Sequence, residues 1–219
     1  MRRALSLFAL AIGASFAQDP CKLESENEWV RISRVTYPPF GKSKTHGHPA
    51  SPTVYVYTTD GGPIRFLHAE GYSIDRPAVK AGGIRFNRGM VEQHEVESLS
   101  DIPSEYLRIE LKTEPLELPE RDIRIPPAEN RGFENAQIRI EKATCEPHQK
   151  CGTTDLPSVV VNLNDGNATW VAHGSPVLEN TTDQLWKLVR IVLKSVPPLD
   201  LEAGAPARRK DRKTRSPHW

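Results

Sequence analysis

Two histidines one residue apart, His46 and His48 in the stretch KTHGHP, are the residues of this chain best placed by type and spacing to do chemistry. In extended backbone, side chains at i and i+2 point the same way, so the pair can offer two imidazoles to one metal ion. The same residues would also serve as polar groups in a solvated turn, and the H-x-H tripeptide alone does not separate the two readings. Other chemistries leave no comparable trace. The chain has no G-x-S-x-G elbow, no glycine loop of the kind that cradles phosphate, and no C-x-x-C pair.

The elements that must position these histidines read as short strands. Val54 and Val56 alternate with Tyr55 and Tyr57 in VYVY, and LRIELK (Leu107 to Lys112) alternates in the same way. Turn signals such as DGG at Asp60 to Gly62 and AGG at Ala81 to Gly83 separate further runs, IRFLHA and GIRFN. With many prolines, few aromatics and no amphipathic helical pattern, the expectation is an all-β sandwich or barrel.

The chain also resembles itself. SENEWVRISRVTYPP from Ser25 lines up with FENAQIRIEKATCEP from Phe133, PTVYVYTTDG from Pro52 with PSVVVNLNDG from Pro157, and LRIELK from Leu107 with VRIVLK from Val189. The order is kept while the spacing shrinks, which predicts one domain duplicated and then pared down in its second copy. The expected organisation is a first β domain over 18–112, a proline-rich linker over 113–133, a truncated second β domain over 134–194 and a disordered basic tail over 195–219. The basic run RRKDRKTR in that tail reads as solvated.

RISRVTYPPFGKSKTHGHPASPTVYVYTTDG followed by KAGGIRFNRGMVEQHEVESLSD resembles the two motifs of the cupin superfamily, a family of small β-barrels. Gly41, His46, His48 and Gly61 fit its first motif, and Gly82 and His94 fit its second. The resemblance covers about Asn27 to Lys112 well and Phe133 to Lys194 as a worn copy, and it implies an all-β cupin-type barrel, duplicated, with the second copy truncated. It further implies that His46, His48 and His94 converge on one divalent transition metal, with iron, manganese, zinc, nickel and copper all suited to imidazole. Three such ligands leave positions open for a small-molecule ligand of unspecified class.

Two departures from the family pattern matter. Its glutamate ligand would fall near Pro52 or Thr53, which leaves Glu92 or Gln93 to supply an oxygen, and the second motif lacks its usual proline. Tyr55, Tyr57 and Arg85 are candidate pocket walls, whereas His68 reads as a rim residue and His148 and His173 as surface residues. In the second copy, alignment on the flanking strands sets Cys151 and Thr153 against His46 and His48, and Pro176 against His94, so no second metal site is expected. A competing class is a non-catalytic binding or structural protein with the barrel and no metal.

The remaining features concern location. MRRALSLFALAIGASFA has the charged, apolar and small-residue order of a secretory signal over 1–17, which predicts export to a periplasmic or extracellular space. The apolar run is too short to span a bilayer, so no transmembrane segment is expected. In an oxidising compartment Cys145 and Cys151 are expected to pair, with Cys21 left over. A net charge of +1 gives no field to attract nucleic acid, and a homodimer is left open.

Overall fold

The computed structural model describes residues 20–129, 132–152 and 155–197. The expected leader at 1–17 lies outside the described residues, as does the tail beyond 197. Every element described is a strand, and every pairing is antiparallel.

Three sheets stack as layers. The middle layer contains β1 (Cys21–Glu26), β2 (Val30–Tyr37), β4 (Thr53–Tyr57), β7 (Ile84–Asn87), β9 (Ser104–Leu111) and β10 (Ile123–Ile125), in the order β1-β2-β9-β4-β7-β10. On one side lies a four-stranded sheet of β3 (His46–His48), β8 (Glu92–Ser98), β5 (Ile64–His68) and β6 (Ser73–Arg76), in that order. On the other lies a five-stranded sheet of β11 (Phe133–Glu134), β12 (Ile138–Cys145), β15 (Trp186–Leu193), β13 (Ser158–Asn162) and β14 (Ala168–Val171).

The period of two along each strand decides which residues go between which layers. Ile32, Val54, Val56, Ile84, Phe86, Leu107 and Ile109 face the five-stranded sheet, where they meet Ile138, Ile140, Val159, Val161, Val189 and Ile191 in one aliphatic core. The opposite face of the middle layer is not solvated. Tyr106, Arg108 and Glu110 alternate with the β9 aliphatics, yet they are buried too, because the four-stranded sheet covers them. The middle layer therefore has the two-sided burial usual for parallel sheets, although its strands are antiparallel.

Within 113–129 the chain is tied to both halves. Ile123 to Ile125 pair with β7, Ile125 is buried in the aliphatic core, and Glu117 accepts hydrogen bonds from Asn135 and Ala136 at the start of the second half. Its proline content signals an arm that lies along an edge, where a missing amide donor is tolerated.

The order β11-β12-β15-β13-β14 is the same as β1-β2-β9-β4-β7. The registers agree as well: Val30 faces Leu111 where Ile138 faces Leu193, and Val54 faces Ile109 where Val159 faces Ile191. Below β12, the bridge Lys150 to Glu179 parallels the bridge Lys42 to Glu97. The amide of Cys151 donates to the Leu178 carbonyl as that of Ser43 donates to Val96, at 2.7 and 2.8 Å. Cys151 thus takes the place of Ser43, not of His46, because the second half keeps step with the first up to this point and shortens only beyond it. Cys145 and Cys151 form a disulfide, and Cys21 lies outside it.

Candidate metal centre

The four-stranded sheet brings the histidines together by register. His46 pairs across β3 and β8 with His94, His94 pairs across β8 and β5 with His68, and His48 faces Glu92. Cross-strand partners share a face, so four imidazoles and a carboxylate are presented to the barrel interior. The rings of His46, His48 and His94 lie 4.8–5.2 Å apart between centroids. Their ligand atoms fall within 4.8 Å of one another, as do those of a second group, His68, Glu92 and His94.

His68 is therefore not a plain rim residue. Its ring sits 5.5 Å from that of His94 and stacks on Tyr72 at 4.3 Å. The sequence signal for it was the strand IRFLH, whose alternation puts His68 on the same face as Phe66. Glu92 is brought to the centre and Gln93 points away, as their alternation on β8 requires. His148 is exposed beside Asp183, and His173 is exposed at the Asp155 carbonyl; neither joins the cluster.

Each ring has a different setting. His46 Nδ1 lies 2.9 Å from the Lys44 carbonyl, so it donates there and leaves Nε2 as the lone-pair nitrogen, the usual arrangement of an imidazole ligand. His94 is 2% exposed, and both of its ring nitrogens are buried without a hydrogen bond. Glu92 Oε2 lies 3.0 Å from His94 Nδ1, off the line of a good hydrogen bond, and its carboxyl is held below the usual range by His94. His48 is pushed down to about 3, first by burial and then by the Arg108 cation, whose Nη1 donates to His48 Nδ1 at 2.7 Å.

His94 Nδ1 has the Glu92 carboxylate beside it, but Nε2 has no partner, and a buried nitrogen left so costs about 1–3 kcal/mol in an otherwise satisfied interior. A divalent ion between His46, His48 and His94 would remove that cost, so the donor set fits a metal. The Arg108 contact works against it at one position, because a nitrogen that accepts from a guanidinium leaves the ring proton on the other nitrogen.

The cavity under the histidines is small, about 40 Å³, which is room for an ion and a few waters. Tyr55, Tyr57 and Arg85, picked out as wall candidates, do line it, together with Tyr37, Tyr106, Arg76 and Arg108. Burial pushes the phenols of Tyr37, Tyr57 and Tyr106 up, so they are neutral donors. Local structure holds the loop before β8 in place. Gly89 has φ +73°, and a Cβ there would collide with the backbone of Ser51.

Among solved structures, the chain is similar to AerE from Microcystis aeruginosa, at 12% identity and TM-score 0.52 over 80% of this chain and 97% of that one. It is similar to YhaK from Escherichia coli at 9% identity and TM-score 0.50, over 81% and 92% of the two chains. A cupin domain from Bordetella pertussis aligns over 98% of its length with 45% of this chain, at 25% identity and TM-score 0.38. The chain has a cupin-type fold. The cupin-type barrel here is the pair of facing sheets around the histidines, and the cluster inside it is compatible with a bound metal. No protein-family model and no curated protein matches the sequence.

Proposed function

We propose that this is an exported protein whose first barrel holds one divalent transition metal through His46, His48 and His94, with Glu92 as the nearby carboxylate and a small molecule as the ligand. The observation that carries the reading is His94, buried among two other imidazoles with Nε2 unpartnered and Nδ1 facing only the Glu92 carboxylate. A bound ion would act as a Lewis acid toward an oxygen-bearing ligand. The chain's own part is to fix the His46 tautomer through Lys44, to keep Glu92 ionised beside His94, and to exclude bulk water with the tyrosine floor. We also propose that the second half is a pared-down repeat of the first, on the strength of the shared strand order and register. The charged-apolar-small order of residues 1–17 and the Cys145–Cys151 disulfide support export to an oxidising periplasmic or extracellular space.

Elemental analysis of protein grown in metal-replete medium tests the metal. About one ion per chain is expected, and His46→Ala, His48→Ala and His94→Ala should each remove most of it while His148→Ala removes none. Well under one ion per chain, with no uptake of iron, manganese, zinc, nickel or copper on titration, would leave the second reading. That reading is a cupin-type binding or structural protein without metal, and the specific feature in its favour is the Arg108 cation that already occupies His48 Nδ1.

A further inference from the structure

Two guanidiniums in the barrel each have a buried Nε without a hydrogen-bond partner. Arg85 is 8% exposed and makes no hydrogen bond among the described residues; its Cζ sits 4.2 Å over the Tyr55 ring. Arg76 likewise has a buried Nε without a partner, and its Cζ lies 5.2 Å from the Phe66 centroid. Both share one carboxylate at a distance. Asp122 Oδ2 is 3.4 Å from Arg85 Nε and 3.8 Å from Arg76 Nη1, positions that neutralise charge without saturating donors. Arg124 adds a third cation, directly opposite Arg85 in the β7–β10 register. Taking such forks out of water without hydrogen bonds is costly, and a planar anion is the group that fits them.

Arg76 and Arg85 line the histidine cavity and also border a second one, with Tyr57 common to both. It measures about 150 Å³ and is walled by Tyr57, Pro77, Val79, Pro126 and Pro127, with Arg76, Arg85 and Arg124 also lining it. The histidine cavity is less than a third of that size, so a ligand larger than a few atoms has its room here. Lys80 at the same cavity is already paired with Asp60 at 2.7 Å. Apolar walls and unsaturated guanidiniums together select for a molecule with an apolar body and one flat anionic end.

We propose that Arg76 and Arg85 bind the carboxylate of a small organic acid whose apolar body lies in the proline-walled cavity, and that Asp122 is the resident counter-ion the ligand displaces. The site uses none of the proposed metal ligands, although Arg76 and Arg85 line the histidine cavity as well.

Titration of the full chain with valerate, followed by ligand-observed NMR, tests the site. Saturable binding is expected, weakened at least tenfold in Arg85→Met and Arg76→Met, weakened less in Arg85→Lys, and tightened severalfold in Asp122→Asn. The Asp122 variant keeps the test decisive if the arginine variants fail to fold, since removing a competing carboxylate strengthens an anion site and would weaken a merely structural ion pair. Adding EDTA should change nothing. Pentan-1-ol binding as tightly as valerate would show that charge plays no part, and inorganic phosphate binding more tightly would assign the wrong anion. No gain in Asp122→Asn, or loss of binding with EDTA, would likewise overturn the proposal.

Discussion

The barrel face of the middle sheet and the matching face of the five-stranded sheet start from the same strand plan and end with different contents. On β9 the inward residues are Tyr106, Arg108 and Glu110; at the same register on β15 stand Leu188, Arg190 and Val192. Tyr55 on β4 is matched by Val160 on β13. The first face has a whole sheet over it, whereas among the described residues the second is covered by no sheet but by the Lys150–Glu179 bridge, the disulfide-closed segment and the stretch His173 to Leu178. Where the covering sheet brings histidines, the floor is polar and aromatic; where no such sheet lies over it, the floor is mostly aliphatic. The arginine survives in both, but its partners differ. Arg190 lies opposite Glu141 and bonds to it at 3.1 Å, while Arg108 lies opposite Ser33 and turns instead to Glu110 and His48. The residue opposite, Glu141 or Ser33, is one difference between a guanidinium tied to its neighbouring strand and to Gly152 and one turned toward the histidines.

The sharpest way to break the comparison is to remove each arginine. Arg108→Met strands Glu110, which is 6% exposed, and should cost about 3–5 kcal/mol in urea unfolding, the usual result of breaking a buried pair. Arg190→Met leaves Glu141 partly in water and should cost clearly less, about 1–2 kcal/mol. Equal losses would mean that the two arginines do the same job.

On the shared aliphatic face the two halves should behave alike. Ile109 and Ile191 are both fully buried in the common core, and Ile109→Ala and Ile191→Ala should each lower stability by roughly 3 kcal/mol. A loss confined to one of them would show that the two halves unfold separately.

Replacing both Cys145 and Cys151 by serine should cost about 2–3 kcal/mol through loop entropy while leaving metal content untouched. Metal loss in that variant would tie the second half to the first half's site.

The smallest effect concerns a motif present in both halves. Asn27 and Asn135 each accept two backbone amides on their side-chain oxygen, and Lys112 and Lys194 reach back to Glu26 and Glu134 at 2.5 and 2.9 Å. Both carboxyls are held below their usual range, first by these lysines. A depressed carboxylate adds stability above its unfolded value and loses it as pH falls through the folded one. Glu26→Gln and Glu134→Gln should therefore flatten the acid side of the melting profile slightly and equally, with no change at pH 7 to 8 in its slope. A marked difference between the two would mark one motif as load-sharing with something else.

Much of this was legible beforehand. VYVY and LRIELK announced strands, the matched stretches announced a parallel between halves, and His46, His48 and His94 do lie together. What alternation could not say is where its polar phase goes. Arg108 and Glu110 look like a solvated face in the sequence and are buried in the structure, because a second sheet built from distant residues covers them. His68 reads as a rim residue in the sequence for the same reason: its place beside His94 depends on the β5–β8 register, which local sequence does not encode. The aligned position of Cys151 slipped because a deletion can be slid along a loop until hydrogen bonds fix it.

Strand β3 is three residues long, lies at the edge of its sheet and is held there by β8 alone. Two of its three residues are His46 and His48, so an ion shared with His94 would act as a clasp on the barrel's seam. Amide hydrogens in β3 should then exchange quickly in the ion-free protein and slow down on loading, while those of the central strands β4 and β9, covered on both faces, exchange only when the whole molecule opens. The rate at which an ion enters or leaves would be set by the breathing of that seam, and not by the size of the cavity behind it.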